Sequence, residues 1–111
     1  MKRIFHPGGS VVTGTDLADA VLVYAEALSG RSQVDVVDIP VICDDGTHGR
    51  AQFLIGSASQ LVSVTAERAT IELVELGTTE LLRRKAEDRS VQTPLGLVSD
   101  PEFAQFDEFN Y

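Results

Sequence analysis

The chain predicts a two-layer α+β domain. The expected parts are an antiparallel β-meander of three to five strands, one long and largely buried helix packed across it, a second short helix, and an acidic-aromatic C-terminal tail. Three observations carry this expectation. One segment near the start repeats apolar residues at helical spacing, several short runs rich in Val and Ile are separated by turn residues, and four of the seven aromatic residues (Phe103, Phe106, Phe109 and Tyr111) fall in the last nine positions. A helix followed by a run of short strands places helices on one face of an antiparallel sheet.

Residues 2–5 read as a short strand stopped by Pro7-Gly8-Gly9. The first helix has a start signal in Thr13, with Asp16 at N3 and Val12 placed to staple Leu17; Thr15 is an alternative cap. Leu17, Val21, Tyr24 and Leu28 then recur at helical spacing, and Gly30 is placed to end the helix as a C′ glycine. Only Asp19 and Glu26 are charged between Leu17 and Leu28, so the helix is expected to be buried on more than one side.

Residues 33–43 read as a strand. The in/out alternation slips at Val36-Val37, which predicts a bulge, and Pro40 predicts an edge position. Asp35 and Asp38 are expected to face solvent. Residues 44–49 have the composition of a hairpin loop, residues 50–55 return as a strand, and Leu61, Val62 and Val64 belong to another. Residues 69–76 read as a strand paired with residues 61–66 across a tight Glu67-Arg68 turn, although Ala66, Ala69, Leu73 and Leu76 also fit a helix. Thr78 is placed to cap a helix running to about Asp88, with Glu80–Arg84 and Arg83–Glu87 as i,i+4 pairs. A connector over residues 90–99 follows, and Asp100-Pro101 reads as a helix start. Residues 1–99 are thus expected to form a single domain, with residues 100–111 docked on it or on a neighbouring subunit.

At 111 residues the chain has room for a single core. Its net charge is −8, and from Asp100 onward it carries four acids and no base. That balance argues against nucleic acid or an anionic membrane as partner, since phosphate binding needs clustered Lys and Arg. Cys43 is the sole cysteine, so no internal disulfide can form, and no apolar run reaches the length of a membrane span. The expected location is the cytoplasm, and seven arginines against two lysines fit a GC-rich bacterial source.

Three groups of residues are candidates for function. The first is the tail: Phe103, Phe106, Phe109 and Tyr111 must find a surface to cover, and Arg83 and Arg84, in the densest positive patch, complement its acids. The second is the loop over residues 8–15, where Gly9, Ser10, Thr13, Gly14 and Thr15 precede a helix N-terminus and offer backbone N–H groups to an anion. It lacks the lysine of a phosphate loop, and Asp16 opposes a phosphate. The third is the turn bearing Cys43, Asp45 and His48, a weak start on a metal or thiol site. No cofactor is implied. The leading expectation is a non-enzymatic interaction or accessory domain that self-associates, most simply as a dimer, or meets another protein; ligand binding at the loop and chemistry at the turn are the alternatives.

Overall fold

The structure, a computed structural model, describes residues 1–57, 60–66 and 71–87. It is an α+β fold with two helices and a five-stranded antiparallel sheet. In chain order the elements are β1 (Lys2–His6), β2 (Gly9–Thr13), α1 (Thr15–Gly30), β3 (Val34–Ile42), β4 (His48–Gly56), β5 (Val62–Thr65) and α2 (Leu76–Glu87). The sheet order is β4-β3-β2-β1-β5. The first four strands are sequential neighbours, as a meander requires. The fifth is not: β5 leaves the β4 edge and pairs with β1, from Lys2↔Thr65 to Phe5↔Val62.

Register assigns the faces. Ile4, Val11, Val37, Ile39, Phe53 and Ile55 share the face under α1 and form one cluster with Val21, Tyr24 and Leu28. The expected helical stripe of Leu17, Val21, Tyr24 and Leu28 is buried throughout, whereas Val23 is half exposed. The other side of α1 meets α2, which buries Thr79, Leu82 and Ala86. Between β2 and β3 the pairing register holds only Val12↔Ile42. The sheet curls about that junction, because His6 of β1 stacks on Phe53 of β4 (ring centroids 4.8 Å apart, 9° between planes) although the two strands are not neighbours.

Several expectations are corrected. Residues 9–13 are a strand, not part of a loop, and Pro7-Gly8 is the two-residue turn of a β1–β2 hairpin, with His6↔Gly9 as its last pair. Thr13 therefore does not cap α1. It is fully buried and donates its hydroxyl proton to Pro40 O (2.7 Å), while Gly14 holds the N-cap position without a side-chain cap. At the far end Gly30 is still helical, and the residue with left-handed backbone is Ser32 (φ 55°).

β3 has no bulge: its register with β4 is unbroken from Val34↔Gly56 to Ile42↔His48. The apparent slip arose from placing Asp35 outside. Asp35 lies on the helix side, where it accepts from the Tyr24 hydroxyl (2.5 Å) and from Lys85 Nζ (3.4 Å), so Val36 points outward and Val37 inward. Asp38, by contrast, is exposed. Nor is β3 an edge strand. Pro40 is tolerated because the β2–β3 ladder stops just before it, so its missing N–H has no ladder partner to fail.

Residues 71–75 have no regular structure, and α2 begins at Leu76, two residues before the expected cap. Thr78 instead donates to the Glu75 carboxylate, and Thr79 N–H bonds to Glu75 O (3.1 Å). The guanidinium of Arg31 caps the other end of α2 through Ala86 O (2.7 Å) and Lys85 O (3.5 Å). The pairs Glu80–Arg84 and Arg83–Glu87 do not form among the described residues. The tail with Phe103, Phe106, Phe109 and Tyr111, the connector before it, and Asp88 all lie outside the described residues.

Candidate functional site

Two of the candidate groups lie among the described residues, and a third region emerges from the fold. At the start of α1, Gly9, Ser10 and Thr13 belong to β2, so only Gly14 and Thr15 stand at the helix N-terminus. That terminus already holds a carboxylate. Glu72 accepts from Thr15 N–H with one oxygen and from the Met1 ammonium (2.8 Å) with the other, and the same ammonium reaches Thr15 Oγ1 (3.2 Å). Residues 71–75 cross so closely here that a Cβ at Gly14 would lie 1.7 Å from Leu73 O. An anion at this point would have to displace a residue of the chain itself.

The Glu72 pKa is lowered to about 2, first by the ammonium and then by the Thr15 N–H and hydroxyl. A depressed carboxylate contributes stability that is present above its unfolded value, near 4.5, and is lost as pH falls through the folded value. Glu72 is 43% exposed, so screening leaves about 1 kcal/mol of this. Glu72→Gln should therefore unfold at a lower denaturant concentration at pH 6 but lose less than wild type between pH 5 and 2. Parallel acid profiles for the two proteins would remove the role given to this contact.

The turn between β3 and β4 brings Cys43, Asp45 and His48 onto one loop without converging them. Asp45 Oδ1 accepts from the Thr47 hydroxyl (2.6 Å) and N–H (3.0 Å), which hold its carboxyl below the usual range. Gly46 takes a positive φ (87°), and Cys43 exchanges backbone bonds with Thr47 and Gly46. All three candidate side chains are exposed, and no group of three or more metal-ligating residues gathers among the described residues.

The third region was not foreseen. On the outer face, away from the helices, two apolar patches are about half exposed: Phe5, Val62 and Val64 on β1–β5, and Val34, Val36 and Leu54 on β3–β4. Val36 and Leu54 are direct cross-strand partners. Between the patches the β2–β3 junction forms a cleft of about 300 Å³, with the buried Val12 and Ile42 at its floor and Arg3, Ser10, Cys43, Asp44 and Arg50 among its lining. Arg50 is fully engaged. It bonds to both Glu75 oxygens (3.1 and 3.2 Å) and to Asp38 Oδ1 (2.7 Å), and these carboxylates hold its pKa above the usual value. Arg3 bonds to Ser10 Oγ (3.0 Å) and has no carboxylate partner among the described residues. Arg83 and Arg84 are exposed near the end of α2.

The sequence signal for the β3–β4 patch lay in the alternation of those two strands, once Asp35 is placed inside. No helix among the described residues is long and apolar enough to cross a membrane. Compared with family models, curated proteins and solved structures, the chain matches none.

Proposed function

We propose that this protein is a small cytoplasmic, non-enzymatic interaction module that self-associates as a dimer through the outer face of its sheet. One observation carries the reading: Val34, Val36 and Leu54 stand together on that face, each about half exposed. Two copies meeting there would cover six such side chains, at roughly 1 kcal/mol each. Association costs about 4 kcal/mol or more, so the dimer is weak and concentration-dependent. The rival ligand-binding reading, at Gly9, Ser10, Thr13, Gly14 and Thr15, is disfavoured by the Glu72 carboxylate already seated on the helix start.

Light scattering over a concentration series tests this. The wild-type mass should rise toward twice the monomer, and Val36→Lys or Leu54→Lys should weaken association by tenfold or more, about 1.4 kcal/mol, with unchanged circular dichroism. A wild type that stays monomeric at every concentration, or a dimer indifferent to both substitutions, would defeat the proposal.

A further inference from the structure

The second patch and the cleft beside it fit a different occupant. We infer that residues 100–111 of this same chain dock in the cleft at the β2–β3 junction and across Phe5, Val62 and Val64. This rests on the outer face being the contact surface of the protein.

The chemistry of the cleft and of the segment correspond. Arg3 lies beside Val64 across the β1–β5 pairing and beside Val12 across the hairpin, at the boundary of patch and cleft. A guanidinium stacks on aromatic rings and binds carboxylates through two parallel bonds. Arg3 has no carboxylate partner among the described residues, since its hydrogen bond is to Ser10 Oγ; Asp44 also lines the cleft, so a docked carboxylate has to bind on the Arg3 side of it. The segment offers both groups together: Phe103, Phe106, Phe109 and Tyr111, interleaved with Asp100, Glu102, Asp107 and Glu108 and without a base. The cleft volume, about 300 Å³, is at the lower end of pockets that hold small ligands. Phe103 or Phe106 is the natural occupant, with the neighbouring rings over Phe5, Val62 and Val64.

Reach permits docking within one molecule. α2 ends at Glu87. The residues between it and Asp100 span up to about 40 Å when extended, which exceeds the two shorter dimensions of the molecule, 25 and 20 Å. A tethered segment sees the cleft at an effective concentration near millimolar, so occupancy does not depend on protein concentration.

Cys43 is a native reporter, since it lines the cleft, is exposed and is the sole cysteine. Its alkylation rate at fixed pH is compared in the full chain and in the full chain carrying Phe103→Asp and Phe106→Asp. Wild type should react several-fold more slowly, up to about tenfold if the docked form holds some nine-tenths of the molecules. Arg3→Glu should release the thiol in the same way. The backbone amides of Arg3, Ser10, Val12 and Val62 should shift between wild type and the double variant.

Equal rates, or unmoved amides, would overturn the inference. Protection that grows with protein concentration would assign the cleft to a second copy's tail and overturn docking in cis. The proposed dimer is read separately from the same samples. A protected thiol in a chain that stays monomeric defeats self-association alone, and equal rates in a chain that still dimerises defeat the docking alone.

Discussion

Gly56→Ala is expected to lower the stability of the domain by about 3–5 kcal/mol. Two costs combine. Gly56 has a φ of 103°, where an L side chain is strained, and a Cβ there would lie 2.4 Å from Gln33 O and 2.8 Å from Leu28 Cβ. Neither neighbour is free to move. Leu28 is fully buried, and Gln33 N–H is held by Leu28 O (2.9 Å). Gly56 thus marks the point where the end of β4, the last turn of α1 and the start of β3 meet.

Against a total stability of about 5–15 kcal/mol, a loss of this size should lower the thermal midpoint by roughly 15–30 °C. Gly30→Ala is the matched control. Gly30 has no positive φ and nothing within 4 Å of a new Cβ, so the change should be neutral or stabilising by about 0.5 kcal/mol. Thermal unfolding followed by circular dichroism reads both. A drop under 5 °C for Gly56→Ala, roughly 1 kcal/mol or less, would show that the α1–β3–β4 corner can relax, contrary to this account.

Gly14→Ser sets a local rule against a tertiary one. Serine is a preferred N-cap, and taken alone the helix should gain a few tenths of a kcal/mol over glycine. The close pass of residues 71–75 reverses the sign, since the serine Cβ would sit 1.7 Å from Leu73 O and 2.8 Å from Leu73 C. Backbone must give way there, and with it the Glu72 contacts to Thr15 and the Met1 ammonium. The expected loss is about 2–4 kcal/mol. The acid sensitivity attributed to Glu72 should fall with it, so denaturant midpoints at pH 6 and pH 3 are both informative. A stabilised Gly14→Ser protein would mean that capping governs this site and the crossing segment does not.

Much of the framework was legible from periodicity. The α1 stripe of Leu17, Val21, Tyr24 and Leu28 follows from 3.6-residue spacing because a helix interior allows little else. The β3–β4 hairpin follows from Asp-Gly turn chemistry. β2 was missed although Pro7-Gly8 followed by Val11-Val12-Thr13 carries the signal of a hairpin, and the reading of a loop at a helix start displaced it. The candidate site was far less legible. Asp35 reads as a surface acid until the Tyr24 hydroxyl and Lys85 are known to be near, and with that one residue turned inward the whole outer row of β3 changes face. Of the residues singled out as ligand-binding, Thr13 proved to be a buried joint to Pro40 and Gly14 a point of close approach.

The sequence by itself determined the α+β class, the lack among the described residues of a helix long and apolar enough to cross a membrane, and the concentration of acids and aromatic rings at residues 100–111. These are properties of composition and of short-range period, which need no knowledge of neighbours. The tertiary structure alone decided that β5 returns to β1, that Glu72 fills the α1 N-terminus from 57 residues away, and that a cleft with an uncommitted arginine opens beside β1. Each of those depends on pairs of groups far apart in the chain. Whether a polar side chain meets water, a partner or a buried joint is settled by what the fold brings next to it.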